Sequence, residues 1–137
     1  MKEDYFNIEK WENWLDHIKY EWDNVSVGKS IAFNISGFNE KIILLTKEAD
    51  HVNFSIEENL NRVTSDDADI LFEIKPIDLD FVLNDFTLHN FEKLLRSCRA
   101  MMFFLVSPKV LCDDGFHNFL EDIGFEISSS DVVPILV

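Results

Sequence analysis

Residues that could hold a metal ion are grouped most closely in the C-terminal third of the chain. His117 and Glu121 stand four positions apart on one face of a predicted helix, and Asp113 and Asp114 precede them. Zinc sites usually take several His or Cys ligands, and calcium loops are longer oxygen arrays that contain glycine. Because a capping role for Asp114 explains the same residues, we assign it as the N-cap of this helix and predict no metal site.

Catalytic arrangements are missing from the rest of the sequence. The four histidines are scattered, and none lies beside a Ser or Cys in a nucleophile-elbow context. Asp78 and Asp80 form a D-x-D pair, but Asp78 follows Pro76 and is better explained as a helix cap. Neither of the glycine-rich phosphate-binding motifs G-x-x-x-x-G-K-[ST] and G-x-G-x-x-G occurs in the sequence. The sequence therefore predicts that the protein is not an enzyme and binds no cofactor. The less favoured alternative is a small enzyme whose site is assembled from residues distant in sequence.

The composition is that of one folded domain with a large excess of negative charge. Of the 137 residues 47% are hydrophobic, and 26 acidic residues against 12 basic ones give a formal charge of −14. This apolar content excludes intrinsic disorder. The acidity argues against binding to nucleic acid or to anionic membranes, because both depend on Lys and Arg. We therefore expect a single domain over 1–137 with a basic macromolecular partner.

The sequence also indicates a cytoplasmic protein. Lys2, Glu3 and Asp4 leave no secretory apolar region at the N-terminus, and no apolar run approaches the ~20 residues that a membrane span needs. Cys98 and Cys112 form neither a CxxC pair nor a framework of bridges. We predict that both are reduced and act as small buried apolar residues.

The N-terminal segment has the spacing of an amphipathic helix. Apolar residues recur three and four positions apart over 7–23, where Trp11 and Trp22 share the apolar face. Trp14 is displaced from that face, so we expect that the three tryptophans do not all enter one core. An exposed Trp14 would be an interface anchor, since aromatic residues are enriched at binding hot spots. Packing of Trp14 under a neighbouring loop is the alternative.

The rest of the chain alternates between strand and helix patterns. Stretches of alternating or continuous apolar residues predict a β-meander at 25–35, 42–45 and 52–56. The polar stretch 57–69 predicts a loop or a short helical turn. Further elements follow, with strands at 70–74, 101–106 (fully buried), 125–127 and 132–137, and helices at 78–86, 87–99 and 114–124. The sequence predicts an α+β fold: a central mixed or antiparallel sheet with an N-terminal helix, a β-meander, and then helices alternating with strands.

The negative charge is concentrated in two segments. Residues 48–74 contain eight acids and one base, residues 110–137 contain six acids and no base, and the remainder nearly cancels. Side by side in the fold, these segments would form one surface that attracts a basic partner, whereas a solvated face that only confers solubility is the competing interpretation. The candidate partner-binding residues are Glu57, Glu58, Asp66, Asp67 and Asp69 in one segment and Asp113, Asp114, Glu121 and Asp122 in the other.

By type, the chain resembles the immunity proteins of bacterial toxin systems, such as those of contact-dependent growth inhibition. The shared features are small size, local acidity, many aromatic residues and an α+β pattern without a catalytic set, and no motif carries the resemblance. It implies binding to a cognate toxin domain, commonly a basic nuclease, with carboxylates in the place of nucleic-acid phosphates. The alternative is a non-catalytic adaptor domain that binds another protein through an apolar or helical face.

Overall fold

Seven strands are present in the structure, a computed structural model that describes residues 7–38, 40–58, 63–85, 87–128 and 131–134. They are β1 (Ser30–Ile35), β2 (Lys41–Lys47), β3 (Val52–Glu58), β4 (Ile70–Ile74), β5 (Ala100–Phe104), β6 (Phe125–Ser128) and β7 (Asp131–Pro134). The first five form one sheet in the order β3-β2-β1-β4-β5, in which β1 and β4 are parallel and the other neighbours antiparallel. β6 and β7 form a separate antiparallel pair.

The helices pack on one face of the five-stranded sheet. They are α1 (Ile8–His17), the 3-10 helix η1 (Lys19–Trp22), α2 (Pro76–Leu83), α3 (His89–Arg96), α4 (Pro108–Asp113) and α5 (His117–Asp122). The predicted α+β class, with an N-terminal helix and a central mixed sheet, is confirmed. Within the described ranges no helix has the length and apolar character needed to cross a membrane.

Aromatic rings join the helices to the sheet. Phe33 of β1 and Phe72 of β4 stack with 5.2 Å between ring centroids. Phe91 of α3 lies 4.7 Å from Phe72, and Trp11 of α1 lies 5.1 Å from Phe33. Each of these four side chains is buried. Since aromatic side chains bury more area than other residues, this cluster fixes how α1 and α3 sit on the sheet.

All three tryptophans enter this core, so the expectation for Trp14 was wrong. Trp11, Trp14 and Trp22 are 0%, 1% and 3% exposed. The segment predicted as one helix over 7–23 is divided into α1 and η1, which turns Trp22 toward Phe116, the residue just before α5, 6.3 Å away. Trp14 packs edge-on against Trp11 with 5.9 Å between centroids. The buried face of α1 is therefore wide enough for both rings.

Two strands differ from their predictions. Residues 25–29 form a loop, and β1 begins at Ser30. The strand predicted at 101–106 as fully buried is β5, which is the edge of the sheet. Met101 and Phe103 are 49% and 40% exposed on the face opposite the helices. The run of apolar residues indicated a strand correctly, but apolar content alone does not distinguish an edge strand from a central one.

Helix caps in the C-terminal half also differ from prediction. The N-cap of α5 is Phe116, and Asp114 is instead the C-cap of α4. The side chain of Ser107 caps the start of α4. Asp78 lies inside α2, buried and paired with Arg99, rather than at its N-cap. The six-residue α4 is too short for a periodic pattern to reveal it, which is why Asp114 was assigned to the wrong helix.

The remaining predictions concern loops, cysteines and the chain end. Both cysteines are free, as predicted, but Cys98 is exposed in the turn after α3. Gly124 ends α5 with a φ of +102°, in agreement with its predicted role. Residues 63–69 form turns without a helix, whereas 59–62 lie outside the described residues. β6 and β7 confirm the two terminal strands, of which 135–137 also lie outside the described residues.

Candidate functional site

Carboxylates gather at one end of the five-stranded sheet, where β1 and β4 begin, β2 ends and β3 begins. The loops before β1 and β4, the hairpin between β2 and β3, the C-terminal half of α1, η1 and the ends of α4 and α5 adjoin this end. We name it the acidic end. Its carboxylates belong to Glu12, Asp16, Asp23, Glu48, Asp50, Asp66, Asp67, Asp69, Asp113, Asp114, Glu121 and Asp122.

The two acidic segments of the sequence meet at the start of β1. The Ser30 N–H donates to the Asp69 carboxylate over 2.9 Å, and the Lys29 ammonium lies 3.5 Å from the Asp114 carboxylate. Ser26 adds a backbone hydrogen bond to the Asp114 carbonyl. Because Lys29 and Ser30 are consecutive, the loop before β4 and the end of α4 are neighbours in space.

Glu57 and Glu58 do not join this group. They end β3, where Glu58 stands opposite Lys41 at the start of β2. A seven-residue strand spans roughly 20 Å, so these carboxylates lie at the far end of the sheet from Asp66 and Asp67. Of the nine predicted residues, seven therefore lie at the acidic end and these two do not.

Some of the predicted carboxylates have local structural partners. Asp67 accepts the Thr64 N–H over 2.9 Å, which fixes the turn before β4. Asp69 is buried against Ser30, and Asp113 pairs with Lys109 over 2.9 Å. Among the residues that the structure describes, no three His, Cys, Asp or Glu side chains are grouped as metal ligands would be.

A cleft of about 500 Å³ opens at the acidic end between α1, η1 and the β2–β3 hairpin. Leu15, Trp22 and Val52 contribute apolar surface to its wall. Its charged and titratable lining consists of four carboxylates, two lysines and one histidine: Glu12, Asp16, Asp23, Asp50, Lys19, Lys47 and His51. Carboxylates thus outnumber lysines two to one.

The chain matches no protein-family model, no curated protein and no solved structure. Function has therefore to be argued from the geometry and electrostatics of the described residues.

Sequence reasoning missed Glu12, Asp16 and Asp23 of this cleft because residues 7–23 carry a net charge of only −3, less than either acidic segment. Asp50 belongs to the acidic segment 48–74 but is absent from the candidate partner-binding residues. Lys10 and Lys19 accompany Glu12 and Asp16 along the chain. In the fold, Lys10 pairs with Asp80 of α2 over 2.9 Å, away from the cleft. A charge count along the sequence cannot show which charges of α1 face the cleft and which are paired elsewhere, because this depends on how α1 packs in the fold.

Two contacts fix charges in the cleft wall. The Lys47 ammonium donates to the Trp22 carbonyl, so this lysine is held against the backbone of η1. Asp50 lies 2.7 Å from the His51 ring, and this hydrogen bond, with the charge of the ring, holds the pKa of Asp50 below its usual range. Asp50 therefore stays ionised.

Glu21 is a buried carboxyl behind the cleft. It is 1% exposed on η1, and neither of its oxygens makes a hydrogen bond of good geometry within the described residues. Burial, together with Asp122 of α5 beside it, raises the pKa of Glu21 to about 8. Glu21 is therefore mostly protonated at neutral pH, and it does not add to the charge of the acidic end.

The sheet face opposite the helices is a second surface of interest. Ala32, Leu71, Val63 and Ala68 form a small apolar cluster on this face, so the chain before β4 covers part of it. Nearer the β5 edge, Met101 and Phe103 are among the large exposed apolar side chains. An adaptor that binds through an apolar face would use this surface.

Proposed function

We propose that the protein is a non-catalytic inhibitor that binds a basic protein domain through its acidic end, in the manner of the toxin immunity proteins that it resembles. The observation that carries this proposal is that Asp69 binds the Ser30 N–H and Asp114 pairs with Lys29, two consecutive residues at the start of β1. It joins two acidic segments that are distant in sequence. The acids of α1 and of the β2–β3 hairpin extend the same surface.

The magnitude of the charge supports a role in binding. A charge of −14 spread evenly over 7597 Å² would place only about 1.5 negative charges on an interface of ~800 Å². Twelve of the 26 acidic side chains belong to the acidic end, against Lys19, Lys29, Lys47 and Lys109, so these named groups leave an excess of eight negative charges there. A surface of this kind steers a basic partner to association rates of ~10⁸ M⁻¹s⁻¹ at low salt.

The mechanism is steric and electrostatic. Carboxylates of the acidic end pair with Lys and Arg side chains that a nuclease uses to hold phosphate. The hydrogen bonds of Asp67 to Thr64 and of Asp69 to Ser30 already order the loop before β4, so less conformational entropy is lost on binding. A complex with a Kd of ~1 nM needs about −12 kcal/mol, and apolar contacts beside the charges would supply part of it.

The experiment is capture of a partner from a panel of purified basic nuclease domains, followed by stopped-flow kinetics. Raising the ionic strength from ~50 to ~500 mM should slow association at least about tenfold and change dissociation much less. A captured domain whose association rate is independent of salt would remove the acidic end as the binding surface.

The exposed apolar edge of β5 favours one alternative, an adaptor that binds through the open face of the sheet. In that case Phe103→Ser would weaken binding at every salt concentration, and charge-neutralising substitutions at the acidic end would have no effect. The two proposals are separated by measuring how strongly the same Phe103→Ser variant inhibits the captured nuclease. A protein that inhibits through its acidic end should keep its full inhibitory activity in this variant.

A further inference from the structure

The cleft between α1, η1 and the β2–β3 hairpin is shaped and charged for a particular kind of side chain. Its volume of about 500 Å³ falls within the range of ligand-binding clefts and is large enough to admit one extended side chain. Asp16 and Asp50 are exposed at its rim, while the buried Leu15 and the half-buried Val52 line its wall. The cleft thus combines apolar surface with accessible carboxylates.

The charges of the cleft favour a cation over an anion. Four carboxylates face two lysines, and one of these lysines, Lys47, is held by the Trp22 carbonyl. Asp50 stays ionised because its hydrogen bond with the His51 ring lowers its pKa. A phosphate or another anion would meet more repulsion than attraction here.

Arginine fits this combination better than lysine. Its planar guanidinium presents paired donors to carboxylates and is more weakly hydrated than an ammonium, and its aliphatic stem can lie on apolar surface. Arginine is also among the residues that most often carry binding energy when they fill a pocket.

We propose that this cleft receives an arginine side chain from the basic partner, with its stem against Leu15 and Val52 and its guanidinium between Asp16 and Asp50. This inference rests on the proposed function, since it specifies where and by which residue the basic partner is anchored. The rest of the acidic end then contributes steering, whereas the cleft contributes residence time.

The test uses the full chain, labelled with ¹⁵N, and titration with a hexa-arginine peptide or a hexalysine peptide. The expected result is that hexa-arginine shifts the amides of Leu15 and Val52 and the indole of Trp22 most strongly. Its Kd should be at least about threefold lower than that of hexalysine. In the variant Asp16→Asn/Asp50→Asn the affinity for hexa-arginine should fall about fivefold or more.

A matched control carries the same charge change at the other end of the sheet. Glu57→Gln/Glu58→Gln should leave the affinity for hexa-arginine within about twofold of that of the unmodified chain, because exposed distant charges are screened. All substituted side chains are exposed, so both variants should retain the circular dichroism spectrum of the parent.

The outcomes separate the two proposals. Shifts confined to residues 63–69 and to α4 and α5 would overturn the arginine cleft and leave binding at the acidic end intact. Equal affinities for the two peptides would overturn the assignment to arginine. If neither peptide shifts any resonance of the acidic end at ~50 mM salt, both proposals are wrong.

Discussion

Acidic side chains at the two ends of the sheet differ in how closely they are paired with bases. At the end where β4 finishes and β5 begins, Asp78 lies 2.6 Å from Arg99, and nearby Asp80 lies 2.9 Å from Lys10. At the acidic end, carboxylates outnumber bases around the cleft, and the longest of the ion pairs joins Lys29 to Asp114 at 3.5 Å. The first end thus contains a buried carboxylate with a close basic partner, whereas the acidic end exposes more carboxylates than bases around its cleft.

This difference separates two uses of charge. A paired carboxylate such as Asp78 is buried and holds elements together, so its removal should be measured as lost stability. Exposed carboxylates crowded at one end repel one another and cost stability, which is typical of a surface that serves binding rather than folding. The comparison can be tested at each end separately.

The largest effect is expected for Glu21→Gln. The pKa of Glu21, about 8 in the folded protein, lies above its ordinary value near 4.5, so its protonated form favours folding. That contribution is complete below pH ~4.5 and is lost as the pH rises through 8. Relative to the parent, Glu21→Gln should raise the free energy of unfolding at pH 9 by on the order of 4 kcal/mol. Urea denaturation at pH 5, 7 and 9 measures this difference, and a gain that does not grow with pH would contradict it.

The next largest effect is expected at the end of the sheet where Asp78 pairs with Arg99. Arg99→Met should lower the free energy of unfolding by about 2 to 3 kcal/mol, because it leaves the buried Asp78 without its partner. Asp78→Asn in the Arg99→Met background should recover part of this loss, since it removes the buried charge. Urea denaturation of the single and double variants at pH 7 measures these free energies of unfolding. If the loss in the double variant equals the sum of the two single losses, the pair is not coupled.

A much smaller effect is expected for the corresponding pair at the acidic end. Lys109 and Asp113 lie four residues apart on α4, with both side chains more than 60% exposed. Lys109→Met should leave the denaturation midpoint unchanged within error, because exposed pairs contribute little. A loss as large as that of Arg99→Met would mean that the two ends do not differ in how they use ion pairs.

The sheet could be predicted from the sequence because its strands carry strong local signals. Alternation in β3, the apolar run in β2 and the stop at Pro76 after β4 each follow from local chemistry. The burial of Trp14 could not be predicted, because it depends on how much of α1 faces the sheet. Likewise, the edge position of β5 follows from strand order, which no local pattern encodes.

The acidic end could be predicted only in part. The charge count identified Asp66 to Asp69 and Asp113 to Asp122, which the fold does bring to one end. It wrongly grouped Glu57 with them. Glu57 lies near the end of β3 and Asp66 precedes β4, and these two strands run in the same direction, so the end of one and the start of the other lie at opposite ends of the sheet. It missed Asp16 because nearby lysines mask its charge in the sequence.

One measurement tests the central claim most directly: the rate of association with the captured basic domain for two matched double variants. Asp66→Asn/Asp67→Asn removes two charges from the acidic end, and Glu57→Gln/Glu58→Gln removes two from the opposite end. We predict that the first variant associates about five- to tenfold more slowly than the parent at ~50 mM salt and that the second stays within about twofold of it. Equal rates for the two variants would contradict binding through the acidic end.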